Sequence, residues 1–206
     1  EKFEDDKRII ARKECFYWMK NIEYEEKEQL EEWTRKKYSE IIFDSDIDDW
    51  DVDTSVLNDK LGKRSNVLFV IEDTENNKFG YYFSSNYGLQ SDKYYKTDKN
   101  AFLFSLKSNG RLKGMMKFPV KDPNEAFMLY DSNNHWMISI GSDGKKSRHD
   151  DINIMKKDCQ DKEPGNGSIP RSYEYDGIEN ALCGNDTFEI KQFIAMEMEE
   201  SEELTQ

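Results

Sequence analysis

The chain has 206 residues, 36% hydrophobic and 13% aromatic, with 35% charged and a net charge of −13. That length suits one well-buried domain with an appendage and is short for two independent cores, while the apolar and aromatic content excludes a disordered polyelectrolyte. The negative charge opposes nonspecific association with nucleic-acid phosphates or an anionic membrane, because affinity for both comes largely from Lys and Arg displacing counterions. Cys15, Cys159 and Cys183 lie far apart with no C-x-x-C pair, so no disulfide framework is expected and the chain reads as intracellular and cytoplasmic. No apolar run approaches the roughly 20 residues that span a bilayer, and the opening EKFEDDKRII lacks the layout of a signal peptide. With no initial Met, the chain is expected to be a piece of a longer protein.

From about Phe3 to Tyr38 there is no Pro or Gly, and strong helix formers surround a sparse apolar set, which predicts one long helix. Ile9, Phe16 and Leu30 share a heptad position interrupted by Glu23; Met19 and Trp33 share the position three residues later, interrupted by Arg12 and Glu26. These five residues define a candidate coiled-coil dimerisation arm. The competing expectation is a helix lying on its own domain.

Ile41, Ile42 and Phe43 predict the first strand, followed by an acidic turn from Asp44 to Asp51. Asp44, Asp46 and Asp48 have the spacing of a calcium loop. However, its sixth position is Asp49 where such a loop needs Gly, and its twelfth is Ser55 where it needs a bidentate Glu. A solvated turn whose carboxylates cap a helix start is the expectation, with adventitious calcium binding ranked behind it. Val56, Leu57 and Leu61 predict a short helix with Thr54 or Ser55 as N-cap and Gly62 as its stop.

Val67, Leu68, Phe69, Val70 and Ile71 form an unbroken apolar run, as expected of a strand covered on both faces. A polar break at residues 73–77 contains two Asn, which tolerate left-handed backbone, and Phe79, Tyr81 and Phe83 resume at alternate positions. This predicts a central hairpin, with Gly80 removing a side chain where another backbone or a large ring packs closely.

Further strands are expected at residues 101–106, 116–120, 126–130, 136–140 and around Ile152 and Ile154, with turns at 108–111 and 131–134. Pro119 marks an edge strand or a strand end. Residues 156–172 read as a loop without order. The fold class is therefore mainly β with peripheral helices (α+β): an antiparallel β-sandwich preceded by a long N-terminal helix.

The chemistry of catalysis is sparse. His135 and His149 are the only His residues, neither at zinc-site spacing, and no H-E-x-x-H, G-x-S-x-G, phosphate-binding or dinucleotide fingerprint occurs. No cofactor or metal is expected. Cys183 and Cys159 lack an electropositive sequence context and read as buried or inert thiols; an enzyme acting through Cys183 is a third-ranked reading. Arg8, Arg12, Lys13 and Lys20 are basic positions on the predicted helix, and Lys145, Lys146 and Arg148 lie in the loop after Gly141. The former support an alternative in which a coiled-coil dimer binds DNA sequence-specifically as a transcription regulator, located in the nucleus.

The hairpin of residues 66–85, together with FLFSL at 102–106 and FEIKQFIAMEM at 188–198, resembles the TLDc domain of the oxidation-resistance and nuclear-receptor-coactivator proteins. YEYDGIENALCG at 173–184 resembles that family's penultimate segment. The family's Gly-rich stretch after the strand at 135–141 is reduced here to Gly141 and Gly144 within GSDGKKSRHD. The resemblance divides the chain into a helical arm at 1–38, a TLDc-like domain at 39–198 and an acidic tail at 199–206. It implies a non-catalytic interaction module linked to the oxidative-stress response, with V-ATPase subunits as protein partners and no membrane insertion. Partner contacts are expected at Ser142, Asp143, Lys145, Lys146 and Arg148, and at Glu189 and Glu197 of the closing strand.

Overall fold

Strand β2 (Val67–Asp73) owes its unbroken apolar run to its place in the middle of three layers. The computed structural model describes residues 22–86, 95–142, 150–161, 165–168 and 171–201. Within them two antiparallel sheets face each other. The larger has the order β1-β11-β2-β3-β4-β5, where β1 is Lys36–Asp44, β3 Lys78–Phe83, β4 Phe102–Lys107, β5 Met116–Pro119 and β11 Ile190–Glu200. The smaller has the order β10-β9-β8-β7-β6, from Phe127–Leu129 (β6), Trp136–Ile140 (β7), Ile152–Met155 (β8), Asn166–Gly167 (β9) and Thr187–Phe188 (β10). The expected mainly β sandwich is therefore present.

Alternation along each strand sorts the side chains. Val67, Phe69 and Ile71 point into the core between the sheets, with Phe79, Tyr81, Leu103, Phe193 and the facing Phe127, Ile138 and Ile154. Leu68 and Val70 point the other way, to a second cluster with Tyr82, Phe104, Ile194, Met196 and Leu30. Phe69 stacks on Tyr81 at 4.6 Å and on Phe193 at 5.2 Å, and Tyr81 stacks on Phe127 across the sandwich at 5.6 Å. Each such ring pair adds about 0.5–1.5 kcal/mol beyond its burial. Gly80 does what its place in the sequence implies: a Cβ there would lie 1.8 Å from the Phe69 carbonyl oxygen and 2.8 Å from Phe104 Cζ. Asn76 takes the left-handed conformation of the hairpin turn at φ 62°, and Pro119 ends β5, the outermost strand.

The long helix is corrected. Among the described residues the helix here is α1 (Tyr24–Thr34), and Ile9, Phe16 and Met19 lie outside them. A capping box starts α1, the Glu23 N–H donating to Glu26 at 2.8 Å, and Arg35 ends it in the left-handed conformation at φ 55°. Lys36, Lys37 and Tyr38, which are compatible with a helix, instead begin β1, because pairing with β11 brings Lys36 opposite Glu200. Glu31 holds the reversal, accepting from the Tyr38 N–H at 3.1 Å and from Lys37 at 2.9 Å. Leu30 is 2% exposed within the outer cluster, and Trp33 packs against Phe102 and Phe104 with ring centroids 6.4 and 6.2 Å away. Both therefore serve this chain's own sheet.

The short helix α2 (Leu57–Leu61) stops at Gly62 as expected, but its N-cap is Val56, which offers no side-chain cap, and not Thr54 or Ser55; Ser55 Oγ only accepts weakly from the Leu57 N–H at 3.4 Å. The loop reading of 156–172 is corrected in its described part. Residues Lys157–Cys159 form a 3-10 turn, Asn166–Gly167 is β9, and Lys156, Cys159, Asn166, Ser168 and Ser172 are buried. Polar residues are tolerated there because their groups are satisfied internally. The Lys156 ammonium donates to the Asp131 carbonyl at 2.7 Å and to that of Ser132, and burial lowers its pKa.

Candidate functional site

A cleft of about 600 Å³ opens at one end of the sandwich, between the β2–β3 turn, residues 160–161 and 165–166, and residues 183–189. Its first wall grows from the end of β2. Asp73 is buried, and its carboxylate accepts from the Asn77 N–H at 2.8 Å and the Asn77 side-chain amide at 2.6 Å, which closes the turn locally. The same amide donates to the Cys183 carbonyl at 3.1 Å. Arg111, placed just after the Asn109-Gly110 turn, donates to Asn77 Oδ1 at 2.8 Å and to the Leu182 carbonyl at 3.0 Å. A single guanidinium thus spans two loops that are 105 residues apart in sequence (182 − 77).

The opposite wall is built on Asn166 of β9. Its side chain accepts from the Met155 N–H at 2.8 Å and donates to the Phe188 carbonyl at 3.3 Å and to Gln160 Oε1. Phe188 meets Phe79 edge-on at 5.1 Å, anchoring β10 in the core. Glu189 follows and is exposed at the lip, while its carbonyl accepts from the Thr74 N–H at 3.0 Å. Cys183 lines the cleft but is only 2% exposed, and its thiol donates to the Asn185 carbonyl at 3.0 Å. Burial, the largest cause, pushes this thiol up from its ordinary pKa, so the reactive thiolate is disfavoured. Cys159 is wholly buried.

Of the sequence-predicted contacts, Glu189 and Glu197 are not brought together. Glu189 and Glu197 lie eight positions apart on one extended run, roughly 27 Å. Glu197 is held by Arg64, which also pairs with Glu40 at 2.7 Å. Ser142 is buried, donating its N–H to Ser172 Oγ at 2.9 Å and accepting from that hydroxyl. Asp143, Lys145, Lys146, Arg148 and His149 lie outside the described residues. Preceding them, Gly141 has φ +69°, and a Cβ on it would lie 2.0 Å from the Asp151 carboxylate, so this position of the reduced Gly-rich stretch is set by close approach.

Sequence reading found Glu189 but not Asp73, Glu75, Asp161 or Arg111. The one local signal was a carboxylate and an Asn four apart across a hairpin turn. In the acidic turn, carboxylates cap backbone within the turn itself rather than a helix start: Asp44 and Asp48 accept from the N–H groups of Asp46 and Asp44 at 3.0 and 2.9 Å, and Lys60 pairs with Asp48 at 2.6 Å. Among the described residues no group of three or more His, Cys, Asp or Glu is arranged to hold a metal ion.

Two stacked antiparallel sheets, a helix on the outer face and a cleft at one end place this protein among the β-sandwich domains. A family model described as the TLDc domain matches residues 4–194, and the chain belongs to that family. The match takes in α1 as well as the sandwich. Membership is consistent with an oxidative-stress-related domain. No curated protein matches the chain. Among the described residues, no helix is long and apolar enough to cross a membrane.

Proposed function

We propose that this chain is a non-catalytic interaction module of the oxidative-stress response, that its partner is the V-ATPase, and that the cleft edged by Glu189 is its contact. The observation that carries this reading is the position of Glu189. A residue of the segment resembling the family's closing strand stands exposed at the lip of a cleft whose walls are fixed by buried polar networks. Preorganised walls favour recognition because little ordering remains to be done on binding. The buried, neutral-favouring thiol of Cys183 supports binding over thiol chemistry.

The test is a pull-down from native extract with the purified chain, in nuclease-treated and untreated halves. Proton-pump subunits retained after nuclease, and reduced with Glu189→Lys, are expected. Enrichment of one DNA sequence with no stable protein partner would overturn this in favour of the DNA-binding alternative. Peroxide consumption by the chain that is lost in Cys183→Ser would overturn the non-catalytic part.

A further inference from the structure

We infer that the free edge of the large sheet, along β5 and its junction with α1, seats an extended acidic segment of a protein partner; this rests on the interaction-module reading and gives that module a second contact besides the cleft. From Lys99 to Lys121 the chain carries six basic residues and no Asp or Glu, although 43 of its 206 residues are acidic. This run builds β4, β5 and the connection between them, and β5 is the outermost strand. Arg111 is spent on Asn77 and the Leu182 carbonyl and belongs to the cleft wall. The five others, Lys99, Lys107, Lys113, Lys117 and Lys121, are exposed, and among the described residues none of them forms an ion pair. Elsewhere on the fold Lys36, Lys37, Lys60, Lys78 and Lys191 all pair with carboxylates. An unneutralised basic row on an otherwise acidic chain sets up the potential that an acidic partner complements.

Arg35, the exposed C-cap of α1, joins this row beside Lys117: burial, then the neighbouring Arg35 charge, lowers the Lys117 pKa. Lys113, Lys117 and Lys121 recur every fourth residue, up to roughly 13 Å apart along the edge. Met115 and Trp33, partly buried in the outer cluster, offer apolar contact next to Lys117. The backbone of the edge is closed to a further strand. Pro119 has no N–H, its carbonyl accepts from the Glu174 N–H at 2.9 Å, and the Lys121 N–H donates to the Ser172 carbonyl at 2.7 Å. Recognition therefore falls to the side chains. Exposed Glu32 and Asp122, next in sequence to Trp33 and Lys121, border the row. A duplex or a lipid surface, being broad, would bring its phosphates against these carboxylates, whereas a single extended acidic chain lies on the row alone. Lys side chains on an edge also discourage edge-to-edge pairing, a role that needs no partner.

The experiment is an anisotropy titration of the whole chain against a short labelled peptide alternating Glu with Leu, compared with its Lys-substituted counterpart and a labelled mixed-sequence duplex DNA, alongside sedimentation with phosphatidylserine vesicles. Two variants each remove three positive charges: Lys113→Gln/Lys117→Gln/Lys121→Gln on the edge, and Lys60→Gln/Lys63→Gln/Lys191→Gln elsewhere. Circular dichroism checks that both are folded, and Lys113→Gln/Lys121→Gln keeps the Lys117 contact with Trp33 in place. Binding of the acidic peptide to the wild type and the second triple variant alike, roughly tenfold weaker in the edge variant and several-fold weaker in the double variant, is expected. No binding to the wild type would overturn the inference and leave these Lys as a guard against edge pairing. Equal loss in both triple variants would also overturn it, since general charge would then be the whole attraction. Duplex or vesicle binding tighter than that of the peptide, and lost in the edge variant, would overturn it by giving the edge to phosphates. In the extract pull-down, a partner retained by the edge variant leaves the interaction module standing and sinks the edge inference. No partner on any form sinks the module reading, and the titration then decides the edge alone.

Discussion

Asp151 is fully buried, with its carboxylate accepting from the N–H groups of Arg171 at 3.0 Å and Ser172 at 2.6 Å. Burial raises its pKa to about 6 from 3.8, against the opposing effect of these donors, and burial, then the neighbouring Asp151 charge, pushes Tyr173 and Tyr175 up. The folded state therefore holds one more proton than the unfolded chain between about pH 4 and pH 6. Stability from this group is fully present below its unfolded pKa and falls as pH rises through about 6. The full swing is about 3 kcal/mol. An Asp151→Asn variant does not titrate, so the wild-type advantage over it in urea melts is expected to be greatest near pH 4 and to shrink to a plateau above pH 7. A difference that is flat across that range would show that Asp151 stays ionised in the folded state.

At the level of elements, the docking of α1 turns on a buried ion pair. Lys78 of β3 lies 2.6 and 2.9 Å from the two carboxylate oxygens of Glu26, both side chains 8% exposed. Taking either partner away strands a buried charge, so Lys78→Met is expected to cost about 3–5 kcal/mol, while Lys78→Met with Glu26→Leu recovers most of that loss. Denaturant melts of the four forms give the coupling, and additive losses would refute it. This pair was not legible in the sequence, because Glu26 and Lys78 are 52 residues apart. The β2–β3 hairpin was legible, since its apolar run, Asn-rich break and alternating return are all local. The end of α1 was not, since Lys36, Lys37 and Tyr38 leave the helix only for a pairing with residues 198–200. The cleft drew one residue from sequence and withheld the others for the same reason: its walls meet only after residues 73–75, 160–161, 165–166 and 183–189 have been brought together.

For the whole molecule, the question left by α1 is whether its apolar residues join two chains or close one. Leu30 and Trp33 lie on the outer face of the large sheet with Leu68, Val70, Phe104 and Met196, a face that a two-layer sandwich would leave to solvent. Lys117 adds to the fit, donating to the Trp33 carbonyl at 3.2 Å and lying 4.1 Å over the Phe102 ring. A side chain already in contact with its own sheet cannot also fill a coiled-coil seam. The melting temperature is therefore expected to be independent of concentration, and Trp33→Ala to lower stability by about 2–3 kcal/mol without changing the mass seen by light scattering, the loss staying below that of a fully buried ring because Trp33 is half-buried. A dimer that Trp33→Ala converts to a monomer, with a melting temperature that climbs with concentration, would mean that α1 leaves this sheet to pair with a second chain.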